Sequence, residues 1–221
     1  MEKLVYKRLI NFIKKIDIIY AKHFGFRSHY LTEHAILCIV DNIHEGIEKR
    51  LFSCGIFRDF SKAFDPCNHA LLMKKLEPYG NRGIANEWFT SYLTNRKQYT
   101  SIVNTNSEEL PITCGVPQGS VLGPLLFLLY INGFSNCTKS LVLPLFADDS
   151  NLFFSHKNLI SLDLIINTEL SYVKNWLNTN KLSLNINKLN FILFLWFPVP
   201  VLRYTDFLSY FILLRKRQIF L

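Results

Sequence analysis

Hydrophobic positions along the chain follow two periods, and the changes between them outline the elements. Leu4, Val5, Leu9, Phe12, Ile13, Ile16 and Ile19 recur at helical spacing with Lys and Arg between them, so residues 3–20 predict an amphipathic helix. Ala35, Leu37, Ile39, Val40, Ile43 and Ile47 repeat that spacing from about Thr32 to Lys49, and Thr32 with Glu33 suits a helix start. Residues 53–60 read as a buried strand running into an acidic turn. Asn68 opens a third helix, closed by Pro78 and Gly80, and residues 84–94 form a fourth with Trp88, Phe89, Tyr92 and Leu93 on one side. Residues 97–103 and 110–114 alternate like a hairpin's two strands around polar residues 104–109. The apolar run 121–131 predicts a helix, with Pro124 acceptable because it falls near the start. Residues 141–154 read as two short strands meeting at Asp148 and Asp149, residues 159–179 as a helix ending near Asn180, and residues 182–186 as a short strand. Helices and hairpins in this order predict an α+β domain, an antiparallel sheet backed by helices.

Composition narrows the classes. A hydrophobic fraction of 49% over 221 residues supports a substantial core and excludes wholesale disorder. Lys and Arg number 25 against 17 Asp and Glu, a formal charge of +8, which suits a polyanionic partner: nucleic acid or an anionic membrane surface. The five cysteines include no CxxC pair and complete no zinc set with the histidines, so they read as reduced thiols. The first residues lack a signal-peptide core, so secretion is not expected.

The acids are informative because of where they fall. Asp59 ends an apolar strand, and Asp148 and Asp149 interrupt a strand-rich stretch. An isolated Asp-Asp pair is ordinary solvated turn chemistry. Grouping three carboxylates is costly unless a cation neutralises them, and Mg²⁺ takes hard oxygen ligands while leaving positions for phosphates.

Five segments carry a family resemblance. Phe57-Arg58-Asp59-Phe60-Ser61-Lys62-Ala63-Phe64-Asp65 resembles the first metal-binding motif of the reverse transcriptases of non-LTR (LINE-type) retrotransposons. Gly115-Val116-Pro117-Gln118-Gly119-Ser120-Val121-Leu122-Gly123-Pro124-Leu125-Leu126-Phe127 resembles their substrate-binding loop and helix, and Phe146-Ala147-Asp148-Asp149 their two-aspartate hairpin. Asn180-Lys181-Leu182-Ser183-Leu184-Asn185 followed by Lys188 is similar to the next motif, and His23-Phe24-Gly25-Phe26-Arg27 to a finger motif upstream. They occur in the family's order over about residues 1–195.

The resemblance implies a right-hand polymerase palm at residues 51–194 with a finger segment at about 66–110, partial fingers at 1–50, and a divergent apolar tail at 195–221 with the thumb missing or degenerate. It implies an RNA-directed DNA polymerase that extends a DNA primer on an RNA template with deoxynucleoside triphosphates. Two Mg²⁺ ions, with Mn²⁺ as the substitute, would serve it. Asp59 and Asp148 would ligate both metals, Asp149 would support the site and ligate one of them, and the Phe60 carbonyl would complete the shell. Phe64 would exclude a ribose 2′-hydroxyl, its other reading being a core aromatic. Gln118 would contact the incoming nucleotide, with Gly115 and Gly119 allowing close backbone approach. Lys188 would neutralise the leaving pyrophosphate or stand as a surface lysine, and Arg27 would meet the triphosphate or the template backbone. Lys, Arg and aromatics interleave from Tyr92 to Tyr99, which suits either a fingers surface that tracks phosphates or a solvated basic turn.

The chain also departs from the family pattern. Arg58 stands where an apolar residue precedes the catalytic Asp, Pro66, Gly133 and Leu189 replace usual residues, and Pro144 sits awkwardly before the hairpin. From Leu195 onward nothing resembles the family, and Pro198, Pro200, Arg203 and Asp206 interrupt that tail below the length of a membrane span. Three functions therefore stay open: the polymerase, an inactive remnant that at most binds nucleic acid, and a membrane-associated protein held by its tail. No membrane partner is expected, and the expected compartment is nuclear or cytoplasmic.

Overall fold

The computed structural model describes residues 1–60, 63–183 and 190–195, with the side chains of Arg58 and Asp59 outside the description. The N-terminal periodicity gives α1, Glu2–Ile16, packed inward through Val5, Tyr6, Leu9, Ile10 and the buried Ile13. It is shorter than the periodicity predicts. Asp17 adopts a left-handed conformation (φ 45°) that ends the helix, so Ile18 and Ile19 pack from a loop. Next come α2, Thr32–Glu48, and β1, Phe52–Asp59. Helix α3, His69–Leu76, is capped by the Asn68 side chain, which accepts from Leu71 N at 3.1 Å. Helix α4, Ile84–Leu93, buries Phe89 and Leu93.

The predicted hairpin exists with a different apex. Two short ladders, β2 (Lys97–Gln98) with β5 (Leu110–Pro111) and β3 (Ser101–Ile102) with β4 (Thr105–Asn106), nest around Val103 and Asn104, both at positive φ. The polar run beyond Asn104 therefore returns as strand instead of forming the loop, because two residues at positive φ suffice for the reversal.

Helix α5, Gly123–Ile131, is apolar all round and buried along its length, as a central core helix must be. A 3₁₀ segment, Asn132–Cys137, follows. Strands β6, Leu145–Phe146, and β7, Asp149–His156, precede α6, Leu159–Thr179, and β8, Asn190–Phe194. The sheet order is β6-β7-β1-β8, every neighbouring pair antiparallel. Strand β8 was not anticipated. The expected strand at 182–186 is absent at Leu182 and Ser183, and its remainder lies outside the described residues. Pro144 is tolerated because it sits between the isolated bridge at Val142 and the start of β6, where its carbonyl still accepts from Asn151 N at 3.1 Å. All five cysteines are free thiols, and burial pushes those of Cys54 and Cys67 up to about 12. No helix among the described residues is long and apolar enough to cross a membrane, and most of the apolar tail lies outside them.

Polar side chains on α5 and just after it tie the loops to the core. The Tyr130 hydroxyl donates to Asn180 O at 2.6 Å and accepts from Asn68 N at 3.3 Å, joining the start of α3 to the end of α6. Lys75 lies over the rings of Tyr130 and Trp176 at 4.4 and 4.8 Å, and burial lowers its pKa to about 8. Buried Asn132 accepts from Tyr20 N at 2.9 Å and donates to Ile18 O at 2.7 Å and to the Tyr79 hydroxyl at 3.1 Å. Replacing Asn132 with Ala leaves those groups without it, and urea unfolding is expected to show a loss of about 1–3 kcal/mol.

Candidate active site

Strands β1 and β7 run in unbroken register from Phe52 opposite His156 to Asp59 opposite Asp149. At that end a two-residue loop, Ala147 and Asp148, returns the chain from β6 to β7, with Phe146 paired to Asp149. Phe60 N donates to Asp148 O at 3.2 Å. The backbones of Asp59, Asp148 and Asp149 thus meet at one end of the central strand pair. Asp148 is half-buried and Asp149 exposed. Among the described residues no three His, Cys, Asp or Glu side chains form a metal-holding group, and the Asp59 side chain is not among those residues. The donor set is carboxylate only, chemistry that fits a hard divalent cation and not a soft one.

The hairpin loop is held from outside the sheet. Ala147 has φ 54° where tight hairpins ordinarily use glycine, a conformation that persists only when its surroundings enforce it. The enforcing segment is the upstream His23-Phe24-Gly25 stretch. Leu145 N donates to Lys22 O at 2.9 Å and Phe24 N to Leu145 O at 2.8 Å, adding an outer rung to edge strand β6. Gly25 then lies against the turn so closely that a Cβ there would meet Ala147 N at 2.1 Å. Its lack of a side chain is a steric requirement. The sequence marks this glycine within a motif but carries no signal that the motif clamps the aspartate turn.

Arg27 is engaged locally. Its Nη1 donates to Tyr20 O at 3.2 Å and His23 O at 3.1 Å, and its guanidinium lies 4.2 Å over the Tyr30 ring. His23 is fully buried, and its ring nitrogens have no hydrogen-bond partner among the described residues. Burial first, and the Arg27 charge second, lower its pKa from 6.5 to about 4.

The Asp59 and Gly115 motifs touch through backbone. Gly115 N donates to Cys67 O at 2.8 Å and Val116 N to Phe64 O at 3.0 Å. Gly115 takes φ 91°, and a Cβ would stand 3.0 Å from Asp65 O. Gly119, also at positive φ (75°), faces open space. Phe64 is half-buried and packs on Phe127 (4.7 Å between centroids) and edge-on to Phe26 (5.9 Å), so it is a core aromatic at the rim of the motif. Phe60 is buried, edge-on to Phe134 at 5.8 Å. Exposed Gln118 donates through Nε2 to Asp65 Oδ1 at 2.7 Å, a partner not anticipated for either side chain. Lys188 lies outside the described residues, as do Leu189 and the Arg58 side chain.

The sequence model described as "Reverse transcriptase (RNA-dependent DNA polymerase)" matches residues 1–217. The chain belongs to the reverse transcriptase family. The match takes in most of the tail set apart in the sequence. Among relatives of this reverse transcriptase chain, the RNA-directed DNA polymerase from mobile element jockey of Drosophila melanogaster is 26% identical over 198 residues, which is 85% of this chain and 21% of that protein. The probable RNA-directed DNA polymerase from transposon X-element of the same species is 31% identical over 155 residues, 67% of this chain and 17% of that protein. The chain thus spans about a fifth of these relatives' length, and they bear out the resemblance to non-LTR elements. Solved telomerase structures share the fold. One from Candida tropicalis, in complex with a fragment of telomeric RNA, superposes with TM-score 0.62 at 14% identity over 87% of this chain and 33% of that one. One from Candida albicans gives 0.60 at 16% identity, over 86% of this chain and 34% of that one. The α+β palm-and-fingers fold is therefore that of this chain.

Three outcomes are expected. Gly25→Ala should destabilise the chain by about 1–3 kcal/mol in denaturant unfolding through forced displacement of the Ala147 turn. Gly133→Ala, whose Cβ would meet nothing within 4 Å, should change stability by less than about 1 kcal/mol. For His23 the folded pKa lies below the unfolded one, so the unfolded chain takes up a proton between pH 6.5 and about 4 that the folded chain refuses. Stability should fall through that window as pH falls, by up to about 3 kcal/mol near pH 4. Urea unfolding of His23→Leu at pH 7 and pH 4.5 should show a smaller loss than the wild type.

Proposed function

We propose that this chain carries the nucleotidyl-transfer centre of an RNA-directed DNA polymerase, extending a DNA primer on an RNA template from deoxynucleoside triphosphates. The observation that carries the reading is the meeting of Asp59, Asp148 and Asp149 at one end of the β1–β7 pair, next to a turn clamped by Gly25. Asp59 and Asp148 would hold Mg²⁺, or Mn²⁺ in its place, with Asp149 and the Phe60 carbonyl in support. Divalent ions bound there would favour attack by the primer 3′-hydroxyl and stabilise the departing pyrophosphate.

The remaining groups bind and orient. Phe64, braced by Phe127 and Phe26, would stand under the incoming sugar and collide with a ribose 2′-hydroxyl. Gln118 and Gly119 would line the nucleotide, Gln118 exchanging its bond with Asp65 for one to substrate. Lys188 would offset charge on the leaving pyrophosphate. Arg27 shapes the loop under the hairpin through Nη1, which both carbonyls occupy, and would meet the triphosphate or the template backbone through Nε and Nη2. We assign residues 51–194 to the palm, residues 1–50 and about 66–110 to the fingers, and residues 195–221 to a separate tail, in a protein that works inside the cell.

A second reading, nucleic-acid binding without turnover, draws support from the engagement of Gln118 and Arg27 by the protein itself. Primer extension on poly(rA)/oligo(dT) with Mg²⁺ separates the two. The wild type should incorporate nucleotide and Asp148→Asn should lose about a hundredfold or more, the scale of removing one electrostatic group from a transition state. Equal and negligible incorporation by both would leave only the binding reading.

A further inference from the structure

Helix α1 presents a second charged surface, remote in sequence from the aspartates. Its inward face, Val5, Tyr6, Leu9, Ile10 and Ile13, is taken up by the core. Its exposed positions include Lys3, Lys7, Arg8, Lys14 and Lys15. At about 100° per residue, Lys3, Lys7 and Lys14 fall within about 40° of one another around the axis. None of the five cations takes part in an ion pair among the described residues. The helix's one acid, Glu2, is committed elsewhere: its carboxylate accepts from the Tyr92 hydroxyl at 2.7 Å and from Val121 N at 3.1 Å. Like charges one turn apart, as at Lys3 and Lys7, oppose helix formation. A polyanion laid along the face would reverse that cost.

The Glu2 contacts also fix where the row begins. They anchor the first turn of α1 to α4 and to the loop that leads into α5. At that junction Trp88 stacks on Tyr92 (5.2 Å, 12° between planes) and the Arg96 guanidinium lies 5.5 Å over the Tyr92 ring. Arg96 is half-exposed, with Lys97 and Tyr99 exposed beyond it. The lysine row of α1 therefore starts beside the basic and aromatic segment of residues 92–99.

We propose that α1 is a phosphate-tracking rail for single-stranded RNA template, continuous with the segment around Tyr92, Arg96 and Tyr99. This rests on the polymerase reading for the identity of the strand. Cations that follow a backbone beside an aromatic ring free to stack a base, here the exposed Tyr99, suit a single strand. An anionic membrane is the poorer match, because a helix lying on a bilayer needs a continuous free apolar face; that of α1 is packed on the core through Val5, Tyr6, Leu9, Ile10 and Ile13, and only Leu4, Phe12 and Ile16 are exposed along it.

The test is fluorescence anisotropy of the full chain with an unstructured, labelled single-stranded RNA, without Mg²⁺ or nucleotides, across a salt series. Lys3→Gln with Lys7→Gln should weaken binding and lower the slope of log affinity against log salt by about 1.4, at about 0.7 per lost phosphate contact. Lys3→Arg with Lys7→Arg should restore binding. The exposed control pair Lys139→Gln with Lys157→Gln should leave the slope unchanged. Equal unfolding midpoints for all the variants would exclude a folding defect. The α1 proposal alone is overturned if the wild type binds RNA with strong salt dependence and the Lys3/Lys7 Gln variant matches it. It is also overturned if that variant loses binding only to phosphatidylserine vesicles. Absence of salt-sensitive RNA binding by the wild type itself would instead overturn the nucleic-acid reading on which the proposal rests.

Discussion

The antiparallel pairing of β1 with β7 is the constraint on which the candidate site depends. Its register sets Asp59 against Asp149, and the two-residue turn before β7 then brings Asp148 within backbone hydrogen-bonding range of Phe60. A slip of one residue would turn every side chain of a strand to the opposite face, exchanging buried Cys54 and Ile56 for their neighbours. Hydrophobic burial thus fixes, at a distance, where the acids stand. The pair lies at the centre of the four-stranded sheet, with β6 beside β7 and β8 beside β1.

The rest of the core serves to keep that end of the sheet in place. Helix α5 is buried throughout, and Tyr130 links the start of α3 to the end of α6 through its hydroxyl. Asn132 performs the same service for the loop at residues 18–20, which leads into the segment pairing with β6. A chain of contacts therefore runs from α5 through Asn132 and His23 to Gly25 and the Ala147 turn. The strained φ of Ala147 is tolerable because both of its flanks are held.

Burying His23 with no hydrogen-bond partner among the described residues carries a cost, as does collecting acids at one strand end. Both features adjoin the same turn, and strain or unsatisfied groups concentrated at one place are characteristic of sites kept for something other than stability. The neighbouring Gly115 motif is docked by backbone hydrogen bonds to residues 64 and 67 and by the Gln118 side chain to Asp65.

Much of the fold was legible in the sequence because its main elements are periodic: α2, β1, α4 and α6 fall within a residue or two of where spacing puts them. The motif residues, read in order, also announced the family. Local pattern could not set the end of α1, since Asp17 interrupts a periodicity that continues through Ile19. Nor could it set the hairpin apex at Val103 and Asn104, where backbone conformation and not polarity decides the reversal. The site divides in the same way. Asp59, Asp148 and Asp149 were legible only in combination with the motifs around them, because an Asp-Asp pair by itself is ordinary turn chemistry. Only tertiary structure decided that Gly25 clamps their turn, that Arg27 and Gln118 are already engaged, and that β8 borders β1. Those are contacts between segments up to about a hundred and forty residues apart, and no local period encodes which distant backbone a glycine must admit.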